Sequence, residues 1–258
     1  MECRKVELDY GPVAVWERPG HGLPVVLLHG LGADAHTFAG AFDPDVLPDR
    51  RLIALDFPGH GASPRGTCTC TVGDYAEVVL ALLAELDVEH YDLVTHSMGG
   101  VVGIVLAERS GVTRFLNAEG NLTGENCFFS GPTAAMERER FMREGRVQLI
   151  GKVGRLASKG SACWEYYIRA LTRCDPEALH RAACGLVDVS NNADLLERYI
   201  ALHCRTCYVV GTQNAREFPG KDRLLEAACE VHAVTGGHFM MLDDPEGFYQ
   251  VVRGFLFN

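Results

Sequence analysis

The chain has 258 residues, 47% of them hydrophobic, which is enough to bury one large core and carry an insertion. Its formal net charge is −10 and its sequence pI is about 5.5, which argues against a basic face for nucleic acid or for an anionic membrane surface. No stretch approaches the roughly 20 apolar residues of a membrane span. The start, Met1-Glu2-Cys3-Arg4-Lys5, has no apolar targeting run, so the expected location is the cytoplasm.

Residues 6–9 and 13–16 read as two antiparallel strands joined at Gly11-Pro12. A strand at 24–29 follows, then a loop and short helix at 34–47 and a strand at 51–56. Residues 72–86 carry apolar side chains at helical spacing. The apolar run Tyr91-Asp92-Leu93-Val94 then leads into Thr95-His96-Ser97-Met98-Gly99 and a small-residue, apolar stretch to Ala107. That pattern is strand, sharp turn, helix, with a serine at the apex. A sixth strand is expected at 113–118. From Glu119 to about His203 the alternation stops, and 132–143, 162–172, 176–184 and 193–202 look helical. Strands at 206–211 and 230–234 and a helix at 245–255 complete the chain. Alternating strands and helices imply an α/β fold with a mostly parallel sheet and right-handed crossovers.

Three segments give the serine a context. Val25-Val26-Leu27-Leu28-His29-Gly30-Leu31-Gly32 is a buried strand ending in a glycine-rich turn. Leu52-Ile53-Ala54-Leu55-Asp56-Phe57-Pro58-Gly59-His60-Gly61 is another. Gly236-Gly237-His238-Phe239 follows the last short strand. Taken alone, Ser97 could simply cap a buried helix. In this order the four motifs make the chain similar to the α/β-hydrolase family over nearly its whole length. It departs from the family at Thr95, where a glycine is usual, and a small side chain should be tolerated there.

The resemblance implies a mostly parallel eight-stranded sheet flanked by helices. It divides the chain into a core domain, 1–118 and 204–258, and a helical lid at 119–203 inserted after the sixth strand. Ser97 becomes the nucleophile and His238 its base. Of the other nine histidines, His29 is expected to be structural and His96 to point away from the reacting centre. The family most often takes its acid from the end of the seventh strand, where this chain has Asn214. Some branches take it from the end of the sixth strand, where this chain has Glu119, so Glu119 is the preferred acid over Glu125, Asp188 and Glu217. The backbone N–H groups of Leu31 and Met98 would hold an oxyanion. Gly30, Phe128, Trp164 and Tyr167 are candidates for the substrate pocket, although each aromatic taken singly suits helix packing better.

A serine rather than a carboxylate at the turn excludes the branches that open epoxides or displace halide. The expected activity is hydrolysis of an ester, lactone or thioester of a small apolar molecule. A carbon–carbon bond hydrolase with the same triad is the alternative, as is a non-hydrolytic receptor or biosynthetic catalyst, motivated by Asn214. No cofactor or metal is expected, because Gly30-Leu31-Gly32 lacks the third glycine of a dinucleotide loop. The expected partner is a small-molecule substrate, with the chain a monomer or homodimer. Of ten cysteines, Cys204-Arg205-Thr206-Cys207 has metal or redox spacing but no second pair, and reads as inert thiols. Cys68-Thr69-Cys70 is expected to be exposed in a loop.

Overall fold

The computed structural model describes residues 2–157 and 162–257. Its sheet has eight strands among the described residues: β1 (Glu2–Leu8), β2 (Gly11–Arg18), β3 (His21–Leu28), β4 (Arg50–Leu55), β5 (His90–His96), β6 (Gly111–Ala118), β7 (Arg205–Gly211) and β8 (Glu230–Val234). Their order across the sheet is β1-β2-β4-β3-β5-β6-β7-β8. The pairs β1/β2 and β2/β4 are antiparallel and the remaining five are parallel.

The central strands are buried on both faces, which is why they read as unbroken apolar runs rather than alternating ones. Val25, Val26 and Leu28 of β3 and Leu93 and Val94 of β5 have no exposed surface. Burying each such side chain is worth about 1.5–3 kcal/mol. Helix α1 (Val72–Glu85) begins at a reciprocal cap, with Asp74 N–H donating to Thr71 Oγ1 and Thr71 N–H to Asp74 Oδ2. Helix α2 (Met98–Arg109) runs back from the end of β5.

Between β6 and β7 lie α3 (Ser130–Ala134), α4 (Arg138–Arg140), α5 (Arg146–Ala157), α6 (Ala162–Arg173), α7 (Pro176–Asn192) and α8 (Leu195–Ile200). The single helix expected at 132–143 is broken. The first part ends at Ala134, and Glu137, accepting from the N–H groups of Glu139 and Arg140, starts the next helix. The renewed run passes through a π-turn at Phe141–Gly145 and continues as α5, which was not anticipated. Residues 158–161, inside the expected insertion, fall outside the described residues. The chain closes with α9 (Lys221–Glu226), α10 (Met240–Asp243) and α11 (Pro245–Phe257). No described helix is long and apolar enough to cross a membrane.

One cysteine expectation needs correction. Cys68 and Cys70 are buried, not exposed, because their loop packs under α1 and the Cys70 thiol approaches the Pro58 carbonyl. Cys207 is buried on β7 while Cys204 is partly exposed, and none of the ten cysteines forms a disulfide.

Candidate active site

Ser97 sits between β5 and α2 with φ +54° and ψ −123°, a conformation that L residues rarely adopt. Surrounding bonds hold it there: its N–H donates to Ala118 O at 3.0 Å, and Gly100 N–H donates to its carbonyl at 2.8 Å. Gly30 explains the tight approach of the neighbouring loop. A Cβ on Gly30 would stand 2.8 Å from Ser97 Cβ, so any side chain there would push the two apart. Thr95, in the position where glycine was expected, is fully buried and points its hydroxyl toward Leu116 O and Asn117 Oδ1, each at 3.4 Å.

Glu119 follows β6 directly and has φ +46°, again in the left-handed region. Its backbone N–H donates to Val209 O at 2.9 Å, which fixes it against the end of β7. Its carboxylate Oε2 lies 2.8 Å from His238 Nδ1, and both side chains are about nine-tenths buried. Because the carboxylate accepts, His238 carries its proton on Nδ1 and Nε2 is left as the acceptor. Burial pushes the Glu119 carboxyl upward. The bond and charge of His238, with hydrogen bonds from Asn214 and Gly211, outweigh burial and hold the group below its ordinary value. None of Glu125, Asp188 or Glu217 is the carboxylate on His238; that partner is Glu119.

Asn214 occupies the strand end where an acid is more usual, and it faces Glu119 rather than the histidine. Its Nδ2 lies 2.9 Å from Oε1 and 3.1 Å from Oε2 of that carboxylate.

His96 was expected to point away, and it does not. Its ring lies 4.5 Å from the His238 ring, its Nε2 is 2.8 Å from the His238 carbonyl, and it lines the same cleft. As the last residue of β5 it alternates against Thr95, so its side chain leans toward the histidine loop. Burial, then the neighbouring His238, hold it well below the ordinary histidine range, so it is neutral. His29 is structural as expected: Nδ1 bonds Gly30 O at 2.8 Å and Nε2 accepts from Phe57 N–H at 3.0 Å.

Ser97 and His238 line one narrow cleft, together with Gly30, Leu31, Phe128 and Tyr167. Among the described residues no hydrogen bond uses Ser97 Oγ, the Leu31 N–H or the Met98 N–H. The serine and both candidate oxyanion donors are therefore uncommitted. Trp164 corrects the expected pocket. It stands behind the wall, in ring contact with Phe129 at 5.8 Å and Phe239 at 5.6 Å. Phe129 and Phe239 line the cleft instead. Phe129 is one of the aromatic residues of the insertion from which a pocket lining was expected, and Phe239 adjoins His238, which was the available signal for it. Phe128 is 47% exposed at the mouth, edge-on to His238 at 5.1 Å.

The helical segment also touches the loop after β3. Tyr167 OH donates to Leu31 O at 3.0 Å, Tyr166 OH to Asp34 Oδ1 at 2.9 Å, and Arg173 pairs with Asp34. Away from the cleft, Cys207, Glu230 and His232 bring three potential metal donors within 4.8 Å. There Glu230 is already paired with Arg205 at 2.6 Å, and burial pushes the Cys207 thiol up, away from the thiolate a metal needs.

This arrangement of strands and turns is that of a hydrolase scaffold, and the comparisons agree. The model of the alpha/beta hydrolase family matches residues 25–251, and the chain belongs to that family. It is 42% identical over 86 residues to the dihydrolipoyllysine-residue acetyltransferase component of the acetoin cleaving system of Pseudomonas putida, a match covering 33% of this chain and 23% of that protein. A match to the magnesium-chelatase 30 kDa subunit of Rhodobacter capsulatus is 36% identical over 109 residues and covers 40% of this chain and 38% of that one. The chain thus spans well under half the length of these curated relatives. Among solved structures, a thermophilic esterase from Thermogutta terrifontis superposes with TM-score 0.79 at 21% identity, covering 99% of this chain and 98% of that one. The enol-lactonase from Burkholderia xenovorans LB400 does so with TM-score 0.79 at 18% identity, over 99% and 100%. At these identities the likeness is one of fold.

Proposed function

We propose that this protein is a serine hydrolase that cleaves an ester, lactone or thioester of a small apolar substrate through an acyl-enzyme on Ser97. The observation that carries the reading is the buried Glu119–His238 pair, 2.8 Å apart, in the cleft that Ser97 also lines. A serine hydroxyl is a weak nucleophile without a base, and this pair is a base held in one tautomer.

In the proposed reaction His238 Nε2 takes the Ser97 proton as Oγ attacks the acyl carbonyl. Glu119 stabilises the imidazolium that forms. The N–H groups of Leu31 and Met98 receive the developing oxyanion, each worth about 10²–10³ in rate. His238 then gives the proton to the leaving group, and water, activated by the same histidine, releases the acid. Phe128, Phe129, Tyr167 and Phe239 give the cleft apolar walls, which favour an uncharged acyl or ring group. In this reading residues 119–203 are a lid over a core of 1–118 and 204–258. Asn214 serves Glu119, so the incomplete triad that motivated a binding-only role has no support from that residue.

Intact-mass measurement after treatment with a small fluorophosphonate tests the reading. One adduct on the wild-type chain and none on Ser97→Ala supports it. No adduct on either, repeated with the walls cut back by Phe128→Ala to admit the probe, removes the acyl-enzyme.

A further inference from the structure

The Glu119 carboxylate is held by more than the histidine. Oε1 accepts from Gly211 N–H at 2.9 Å and from Asn214 Nδ2 at 2.9 Å. Oε2 accepts from His238 Nδ1 at 2.8 Å and from Asn214 Nδ2 at 3.1 Å. Asn214 is the one side chain other than the histidine that donates to this carboxylate among the described residues, and it reaches both oxygens.

The amide has a fixed base. Asn214 N–H closes a turn onto Gly211 O at 2.8 Å. That turn is tied to the histidine loop by Thr212 N–H to Val234 O at 2.8 Å, Gln213 N–H to Gly236 O at 3.0 Å, and Gly236 N–H to Thr212 Oγ1 at 3.2 Å. Acid and base are therefore referenced to one short piece of backbone. A neutral donor suits this place and an acid does not. Two carboxylates at such separations cannot both stay ionised, whereas an amide stabilises the one that must.

We propose that Asn214 is a positioning residue: its amide fixes the Glu119 carboxylate in the orientation that receives His238 Nδ1–H, and so leaves Nε2 facing Ser97. The kinetic side of this inference rests on the serine-hydrolase reading; the geometric side does not.

The test uses the full chain carrying Asn214→Ala or Asn214→Asp, with p-nitrophenyl acetate as substrate across the pH range. Asn214→Ala lowers kcat about tenfold and leaves KM within about twofold, the pattern of lost orientation rather than lost binding. Asn214→Asp keeps the size and shape. At low pH its protonated carboxyl donates to Glu119 as the amide did. As pH rises it ionises against Glu119, and the ratio of variant to wild-type kcat/KM falls with pH. The charged or titratable groups around this position include Glu119, His238, Tyr208, whose hydroxyl donates to Gly120 O, Asp243, which accepts from Gly237 N–H, Lys221, whose ammonium donates to Ala215 O and Arg216 O, and the nearby Arg216 and Glu217 of the same turn. A residue that merely shapes the turn would give Asn214→Asp the wild-type profile, and that result overturns the proposal. If the wild type turns over no ester, the hydrolase reading fails separately. The far-downfield proton resonance of His238 Nδ1–H then decides, assigned by its loss in Glu119→Gln. A shift or loss of that signal in Asn214→Ala supports the proposal, and an unchanged signal overturns it.

Discussion

The two sides of the cleft are built by different means. On the sheet side, Ser97 and Glu119 are held by backbone: positive φ at both, N–H bonds to Ala118 O and Val209 O, and a glycine at 30 with no room for a side chain. On the side of the segment between β6 and β7, side chains do the holding. Aromatic rings form the wall, and a few hydroxyl and guanidinium contacts join α6 to the loop after β3. Reactive geometry thus sits where the chain has no freedom, and cleft shape sits where one side chain can replace another.

That contrast predicts that changes on the sheet side act on kcat and changes on the helical side act on KM. The largest effect expected is for Glu119→Gln, which keeps the shape but loses the charge. Turnover of a p-nitrophenyl ester should fall at least a hundredfold and toward the roughly 10⁴ typical of such a change, and unchanged turnover would take Glu119 out of the mechanism. Tyr167→Phe can break the contrast, because this helical-side residue grips Leu31 O. We expect kcat to fall about tenfold through a loosened oxyanion loop, with KM little changed. A KM effect alone would make Tyr167 wall and nothing more. Phe128→Ala sharpens the contrast from the other side. The ring is half exposed, so KM should rise roughly threefold while kcat holds.

The smallest effect is on stability and comes from the sheet side. Burial holds His29 down to about 4 and His60 to about 3, and His96 well below its ordinary value. From pH 6.5 down toward 4 the unfolded chain takes up these protons and the folded chain does not, so stability falls as pH drops. Asp56, pushed up to about 7 by burial, and His36, raised by its bond to Asp34, take up protons in the folded state and oppose the trend, but they are two groups against three. A thermal midpoint that falls steadily across this window is the expected result; a flat one would mean the buried histidines keep their ordinary protonation.

The same contrast decides what the sequence made legible. Unbroken apolar runs such as Val25–Leu28 and the glycines beside Ser97 and His238 are backbone requirements, and they read directly as strands and turns. Glu119 was readable because Asn214 left the usual place without an acid. That Asn214 donates to Glu119 was not readable, since no spacing says which way an amide faces. His96 was misread because the direction of the last residue of a strand depends on the loop packed against it. The helical segment was least legible. Glu137 opens a second helix through its own side chain, and Trp164 and Phe129 exchange front and back places on the strength of packing alone.

The bond between Glu119 and His238 joins residues 119 positions apart in the chain. Everything needed to shape Ser97 lies earlier, in β3, β5 and β6. The histidine arrives only after the helical segment, β7 and β8 have found their places, and closing so long a loop is entropically late. On the proposed mechanism, Ser97 has no base until the histidine loop docks, so in refolding the return of activity should trail the return of helix and sheet. On that mechanism a half-made chain carries the serine without the base that would activate it.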